Sequence, residues 1–310
     1  MPGPTISIII PCFNEEGNID ELFNRIASKM KDSCTYPFEV IFIDDGSTDH
    51  TLQKVKSLAA VHSNIRYISF SRNFGHQNAL KAGFDHAGGD AVISMDADLQ
   101  HPPELITDLI SYWEKGYRVI HTKRLDSKNQ SRLKRFMSRL YYKILNSLMD
   151  TKVEPGTADF RLLDRKVILE LRNLQERNLF YRALIPWMGF NQTTIEYVPD
   201  KRFSGRTKYS FRLSSEFALT GITSFSIKPL RISILIGIVL ASFSVIYAFY
   251  ALYIYIFTDK DVKGWTSVIV SILFIGALQL IILGIMGEYI GKLFLESKKR
   301  PNYIIDDSNI

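Results

Sequence analysis

The stretch Ala91-Val92-Ile93-Ser94-Met95-Asp96-Ala97-Asp98-Leu99-Gln100 decides how this chain is read. Ala91 to Met95 has the apolar character of a short buried strand, and the run stops at Asp96-Ala97-Asp98. Residues two apart on an extended chain point to one side, so both carboxylates can hold one Mg²⁺ or Mn²⁺ while substrate phosphates complete the octahedron. Aspartate clusters also build turns. Two further acidic strand ends upstream weigh toward the metal.

Working outward, Thr5–Ile10, Phe38–Ile43, Ile65–Ser69 and Val119–Thr122 read as further strands. Between them the spacing of apolar residues predicts helices over Gly17–Met30, from a cap at Asp49 to about Val61, over Gly75–Ala87, and from Pro102 or Pro103 onward. Strand–helix repeats of about 25–30 residues argue a parallel sheet with helices on both faces. Ligands of such sheets sit outside the carboxyl ends of the strands, which is where Asn14-Glu15-Glu16, Asp44-Asp45 and Asp96-Ala97-Asp98 fall. No G-x-G-x-x-G follows the first strand and no G-x-x-x-x-G-K-[ST] occurs, which argues against a dinucleotide-binding dehydrogenase and a P-loop NTPase. Without a glycine-rich cradle, a diphosphate needs a metal and basic side chains.

The second half is of another kind. No charge occurs from Ile232 to Phe257 or from Trp265 to Met286, and each run matches the roughly 20 apolar residues that span a bilayer core. A purely soluble enzyme and a small-loop transporter are both excluded. So is disorder, with 46% hydrophobic and 12% aromatic residues. Lys228 and Arg231 precede the first span, and Lys292, Lys298, Lys299 and Arg300 follow the second. They outweigh Lys260 and Lys263 in the connecting loop, predicting cytoplasmic termini. The apolar start, Ile6–Ile10, is too short for a signal peptide. The net charge of +6 suits an anionic membrane surface or phosphate-bearing substrates. The expected organisation is a cytoplasmic domain over 1–210, a juxtamembrane amphipathic segment over 211–228, spans over 229–257 and 265–290, and a cytoplasmic tail over 291–310. Core packing accounts for 211–228 equally well. Cys12 and Cys34 read as inert thiols, and the six scattered histidines as surface or packing residues.

Pro11-Cys12-Phe13-Asn14-Glu15, Asp44-Asp45-Gly46-Ser47 and Asp96-Ala97-Asp98-Leu99-Gln100, at these spacings, resemble the family 2 glycosyltransferases with a GT-A fold. Ser71-Arg72-Asn73-Phe74-Gly75, Asp159-Phe160-Arg161-Leu162-Leu163 and Arg202-Phe203-Ser204-Gly205-Arg206-Thr207-Lys208 are similar to the polyprenyl-phosphate members, including bactoprenol glucosyltransferases and, more distantly, dolichol-phosphate mannose synthases. The two spans and Gly287-Glu288-Tyr289-Ile290-Gly291 resemble the bacterial two-span members. The resemblance implies an α/β fold: a GT-A nucleotide-sugar-binding domain with a mostly parallel sheet, followed by two transmembrane helices in the bacterial inner membrane.

It also implies roles. Pro11, Asn14, Glu15, Asp44, Asp45, Ser47, Asp96 and Ala97 would bind the nucleotide sugar. Asp98, with Asp96, would hold Mg²⁺ or Mn²⁺, and Asp159 takes the place of the catalytic carboxylate. Arg124, Arg135, Arg202 and Lys208 would bind phosphate. His76-Gln77-Asn78 departs from the Lys-Glu of the glucosyl members, which leaves the sugar open.

The reaction implied is attack by a polyprenyl phosphate oxygen on C1 of a nucleotide sugar, UDP-glucose or UDP-N-acetylglucosamine first, with inversion. A phosphate monoester is largely dianionic at pH 7 and needs little deprotonation, so Asp159 acts through orientation and charge or as a base. A GDP-mannose-dependent lipid-phosphate mannosyltransferase is the nearby alternative. A processive synthase would need a Q-x-x-R-W motif and more spans. A non-catalytic scaffold subunit would have eroded carboxylates, whereas Asp96, Asp98 and Asp159 are in place. The partners implied are a nucleotide sugar, polyprenyl phosphate, a membrane and further copies of the chain, without nucleic acid.

Overall fold

The first strand, β1 (Ile6–Cys12), is buried along its whole length because its side chains feed two cores. Ile6, Ile8 and Ile10 enter one apolar cluster and Ile9 the other, the alternation that a strand imposes on successive side chains. A sheet covered on both faces follows. Ile8 and Ile9 are fully buried, so trimming either to Ala would cost about 2–5 kcal/mol. The computed structural model describes residues 3–125 except 34, most of 137–200, and 221–257 and 264–310 except 222 and 225.

After β1 come α1 (Ile19–Ser33), β2 (Phe38–Asp44), α2 (Thr51–Val61), β3 (Ile65–Phe70), α3 (His76–His86), β4 (Ala91–Ser94), a 3₁₀ turn (Pro103–Leu105), α4 (Ile106–Glu114) and β5 (Val119–Arg124). The expected elements are all found, with ends moved by a few residues. Asp49 caps as its position suggests, its Oδ1 accepting from Thr51 N at 3.0 Å. Beyond them lie β6 (Thr157–Asp164), α5 (Arg165–Asn173), α6 (Tyr181–Trp187), β7 (Gln192–Tyr197) and β8 (Ile305–Ser308), for which the sequence suggested no elements. Helices α1, α2 and α4 cover one face of the sheet, and α3, α5 and α6 the other.

The sheet order is β7-β5-β6-β4-β1-β2-β3-β8. Strands β1 to β4 run parallel, with β1 between β2 and β4. The chain therefore steps outward through β2 and β3, then crosses back to the far side of β1. That reversal of the winding puts the switch point at the carboxyl ends of β1 and β4, where open α/β sheets form the crevice that takes their ligand. β6 is antiparallel to β4 and β5, and β8 is antiparallel to β3.

Helices α7 (Lys228–Phe257) and α8 (Trp265–Ser297) stand apart from this sheet. Both are long and apolar enough to cross a membrane. Their apolar side chains face outward, Phe249 at 69% exposure and Leu273 at 67%; water would not tolerate so continuous an apolar surface, whereas lipid would. Tyr289 Oη donates to Ser226 O at 2.7 Å, and Lys228 Nζ donates to Met149 O at 2.9 Å.

After α8 the chain returns to the sheet. Tyr303 stacks on Phe70 with ring centroids 5.1 Å apart, and its hydroxyl donates to Asp85 Oδ2 at 3.0 Å. Ser71 N donates to Ile304 O at 3.1 Å. β8 then covers the edge of β3, which would otherwise expose unpaired backbone groups. The expected tail is thus partly a strand. Most of the expected juxtamembrane segment, with Cys34, Arg135, Arg202 and Lys208, lies outside the described residues.

Candidate functional site

Each strand that ends at the crevice delivers a polar group, and the turns are stitched to one another. Asn14, just beyond β1, adopts a left-handed φ of 52°. Its N–H donates to Ser47 Oγ at 3.0 Å and its Oδ1 accepts from Thr48 N at 2.8 Å. Glu15 N donates to Thr51 Oγ1 at 2.9 Å, and its carboxylate accepts from Asn18 Nδ2 at 2.6 Å. Pro11 lies within β1 opposite Ile43.

At the end of β2, Asp44 is buried and accepts from Ser69 Oγ at 3.0 Å and from Ser47 N at 3.2 Å. Gly46 follows with φ 69°, and a Cβ there would lie 2.5 Å from the carbonyl carbon of Arg72. Only glycine lets this turn approach the 72–73 backbone so closely. Asp45, also buried, accepts from Phe74 N at 2.6 Å and Gly75 N at 3.0 Å. Burial pushes its carboxyl up to about 6 despite those two N–H donors. Asp45 therefore fastens the loop that leads into α3.

Across the crevice, Ala97 is buried and Asp98 half-buried. Leu99 takes a left-handed φ of 60°, and Asp98 Oδ1 accepts from Gln100 N at 3.1 Å. The motif thus builds a turn, as aspartate clusters do. Arg124, at the end of β5, donates to Gln100 Oε1 at 3.1 Å and so reaches the same loop.

Asp96 is held from two sides. His76 Nε2 lies 2.8 Å from Oδ1, and His101 Nε2 lies 3.7 Å from Oδ2. Asp96 N donates to His101 Nδ1 at 3.0 Å. His101 is buried and stacked on Phe160 with centroids 5.2 Å apart. Burial raises the Asp96 carboxyl, but His101 and His76 outweigh it and the net shift is downward. His101 thus packs as expected but also touches the D-x-D motif, and His76 is brought to it by the packing of α3 on β1 and β2.

Asp159 reaches the crevice through the antiparallel pairing of β6 with β4. Arg161 pairs with Ser94, so the residue two before it extends past the end of β4 toward Asp96. Ser94 Oγ donates to Asp159 O at 2.6 Å and locks this level. The Asp159 carboxylate is gripped by Arg161 Nη2 at 2.6 Å and by Arg182 Nη2 at 3.0 Å. Burial would raise its pKa, but Arg182 and Arg161 outweigh burial and hold it well below the usual carboxylate range. Such a carboxylate is a weak proton acceptor and a strong anchor.

Among the described residues no group of three or more His, Cys, Asp or Glu is arranged to hold a metal. Asp98, half-buried, is a hard oxygen donor that could hold Mg²⁺ or Mn²⁺, with substrate phosphates and water needed to complete the shell. Sequence reasoning missed His76, His101 and Arg182; Arg161 lay within a quoted motif without a role.

Residues 7–172 match the model of Glycosyl transferase family 2. This chain belongs to glycosyltransferase family 2. Residues 228–293 of the glycosyltransferase match the GtrB C-terminal hairpin. It is 42% identical to the prophage bactoprenol glucosyl transferase homolog of Escherichia coli (strain K12), over 97% of this chain and 98% of the relative. With the glycosyltransferase YkcC of Bacillus subtilis (strain 168) it shares 41% identity over 97% of this chain and 93% of the relative. The solved mannosyl-3-phosphoglycerate synthase from Rubrobacter xylanophilus has a TM-score of 0.50 and 14% identity, covering 70% of this chain and 71% of that one. That likeness is one of fold, and the GT-A-like α/β architecture expected from the sequence is the one found.

Proposed function

We propose that this glycosyltransferase moves one sugar from a nucleotide sugar, UDP-glucose or UDP-N-acetylglucosamine, to polyprenyl phosphate at a membrane surface. The observation that carries the reading is the joining of two parts in one chain. Asp159 is held level with the end of β4, where Asp96 and Asp98 follow in the chain, and that sheet takes its edge strand, β8, from the chain leaving a membrane-length apolar helix. Relatives named bactoprenol glucosyl transferase support the acceptor. The return of β8 to β3 supports an arrangement with the catalytic sheet and the C-terminus on one side of the bilayer, and the basic residues around the spans make that side cytoplasmic.

In this reading Asn14, Glu15, Asp44 and Ser47 frame the nucleoside end of the crevice, with Pro11 behind them. Asp45 shapes the pocket by holding the 74–75 backbone. Asp96, oriented by His76, faces the sugar diphosphate beside Ala97. A divalent cation on Asp98, when bound, neutralises charge on the leaving diphosphate. Arg124, which donates to Gln100 of the same loop, binds phosphate in this reading, and Arg135, Arg202 and Lys208 are assigned the same chemistry by the sequence alone. The acceptor phosphate attacks as a dianion, so the demand on the protein is to hold two anions in line, and a single displacement inverts C1.

The test uses the full chain in detergent with Mg²⁺, undecaprenyl phosphate and a panel of labelled UDP- and GDP-sugars. Label from one UDP-sugar should pass into the organic phase, and Asp98→Ala should abolish it. Transfer from GDP-mannose alone would replace the donor, and no lipid-phase label from any donor would overturn the reading.

A further inference from the structure

The cluster around Asp159 holds one carboxylate and two guanidiniums. Arg161 is the internal partner: its side chain is 1% exposed, and it also donates to Ala158 O at 3.0 Å and Tyr181 O at 3.3 Å. Arg182 is different. It rises from the first turn of α6 and reaches Asp159 with Nη2 at 3.0 Å and Nε at 3.4 Å, while its side chain stays 34% exposed. Arg161 meets Asp159 Oδ1 from the interior at 2.6 Å, and Arg182 meets Oδ2 from the accessible side while part of its side chain stays open to solvent.

Asp159 stands level with the D-x-D loop through Ser94, and Arg182, held to it at 3.0 Å, reaches the same end of the sheet. A planar guanidinium steadied by a carboxylate is preorganised for bidentate contact with phosphoryl oxygens.

We infer that Arg182 binds a phosphoryl oxygen in this site, from either the lipid phosphate or the donor diphosphate, and that Asp159 is its positioning residue. The inference rests on the reading of the crevice as a site for phosphate-bearing substrates, and it gives Asp159 the task of aiming a cation in place of accepting a proton.

The experiment measures binding of UDP (with Mg²⁺) and of a short-chain isoprenyl phosphate to the full chain in detergent by calorimetry. Wild type, Arg182→Gln, Arg182→Lys and Asp159→Asn are compared, with thermal melting as the fold control. Arg182→Gln should weaken one of the two ligands about tenfold or more, as loss of a charge-assisted contact does, and Arg182→Lys should restore part of it. Loss confined to the isoprenyl phosphate assigns the contact to the acceptor, and loss confined to UDP assigns it to the donor. Asp159→Asn should weaken the same ligand, because the guanidinium loses its anchor. Unchanged affinity for both ligands in a folded Arg182→Gln overturns the assignment, as does a wild type that binds neither. Asp159→Asn that keeps both affinities yet loses transfer overturns the positioning role and restores the base. Sugar transfer by the wild type is followed in parallel: binding of both ligands without transfer would defeat the proposed function and leave the phosphate contact standing.

Discussion

His76 Nε2 lies 2.8 Å from Asp96 Oδ1, joining the first turn of α3 to the loop after β4. This contact crosses the crevice where the winding of the sheet reverses, and it fixes which way the first carboxylate of the D-x-D motif points. His76→Ala should lower kcat/KM roughly 10- to 100-fold, the scale of one lost hydrogen bond to a charged group. His76→Gln, still able to donate to Asp96, should recover part of the loss. Steady-state kinetics with varied nucleotide sugar check it, and wild-type kinetics in His76→Ala would remove the contact from the mechanism.

The proposed function assigns the divalent cation to Asp98, because Asp96 is shared between two histidines. Asp98→Ala should therefore abolish Mn²⁺ binding in the presence of UDP, read by electron paramagnetic resonance, while melting stays near the wild-type value. Retention of a bound-Mn²⁺ signal would shift the ligand role to another residue.

Asp45 gives a pH signature. Its folded pKa, about 6, lies above the ordinary 3.8, so the folded state binds the proton more tightly than the unfolded chain does. The stability this contributes is full below pH 4 and is lost as pH rises through 6. Asp45→Asn keeps an acceptor for Phe74 N–H and lacks the titration. From pH 4 to 7 the variant should gain about 2–3 kcal/mol relative to wild type. Parallel melting profiles for the two proteins across that window would contradict this.

Tyr303 fastens the returning tail to the catalytic sheet through its stack on Phe70 and its bond to Asp85. Tyr303→Ala should destabilise the domain by about 1–3 kcal/mol, combining a lost aromatic pair with a lost hydrogen bond. Tyr303→Phe should cost about 1 kcal/mol, because only the hydroxyl contact goes. Thermal melting of the full chain in detergent measures both, and equal melting of all three proteins would show that the tail carries no load.

Much of the fold was legible because its signals are local. The apolar runs at Ile6–Ile10, Phe38–Ile43 and Ala91–Met95 end at polar clusters, and the helical spacing between them implies parallel strands before any contact is known. The uncharged runs from Ile232 and Trp265 declare membrane-length helices by composition alone. Asp44, Asp45, Asp96 and Asp98 could be placed at one edge because every parallel strand presents its carboxyl end there.

What the tertiary structure decided are the partnerships across long sequence separations. Nothing local in His76 distinguishes it from His62 or His86; it meets Asp96 because α3 packs on β1 and β2. Asp159 joins the site only because β6 enters antiparallel to β4, which reverses the end that a strand normally contributes. Arg182 arrives from α6, and β8 from beyond both apolar helices, with contacts such as Tyr67 N to Asn309 Oδ1 at 2.6 Å spanning 242 residues. Periodicity and turn chemistry report on a few neighbouring residues, whereas these contacts depend on strand order and on the direction of each crossover, which only the packed sheet determines.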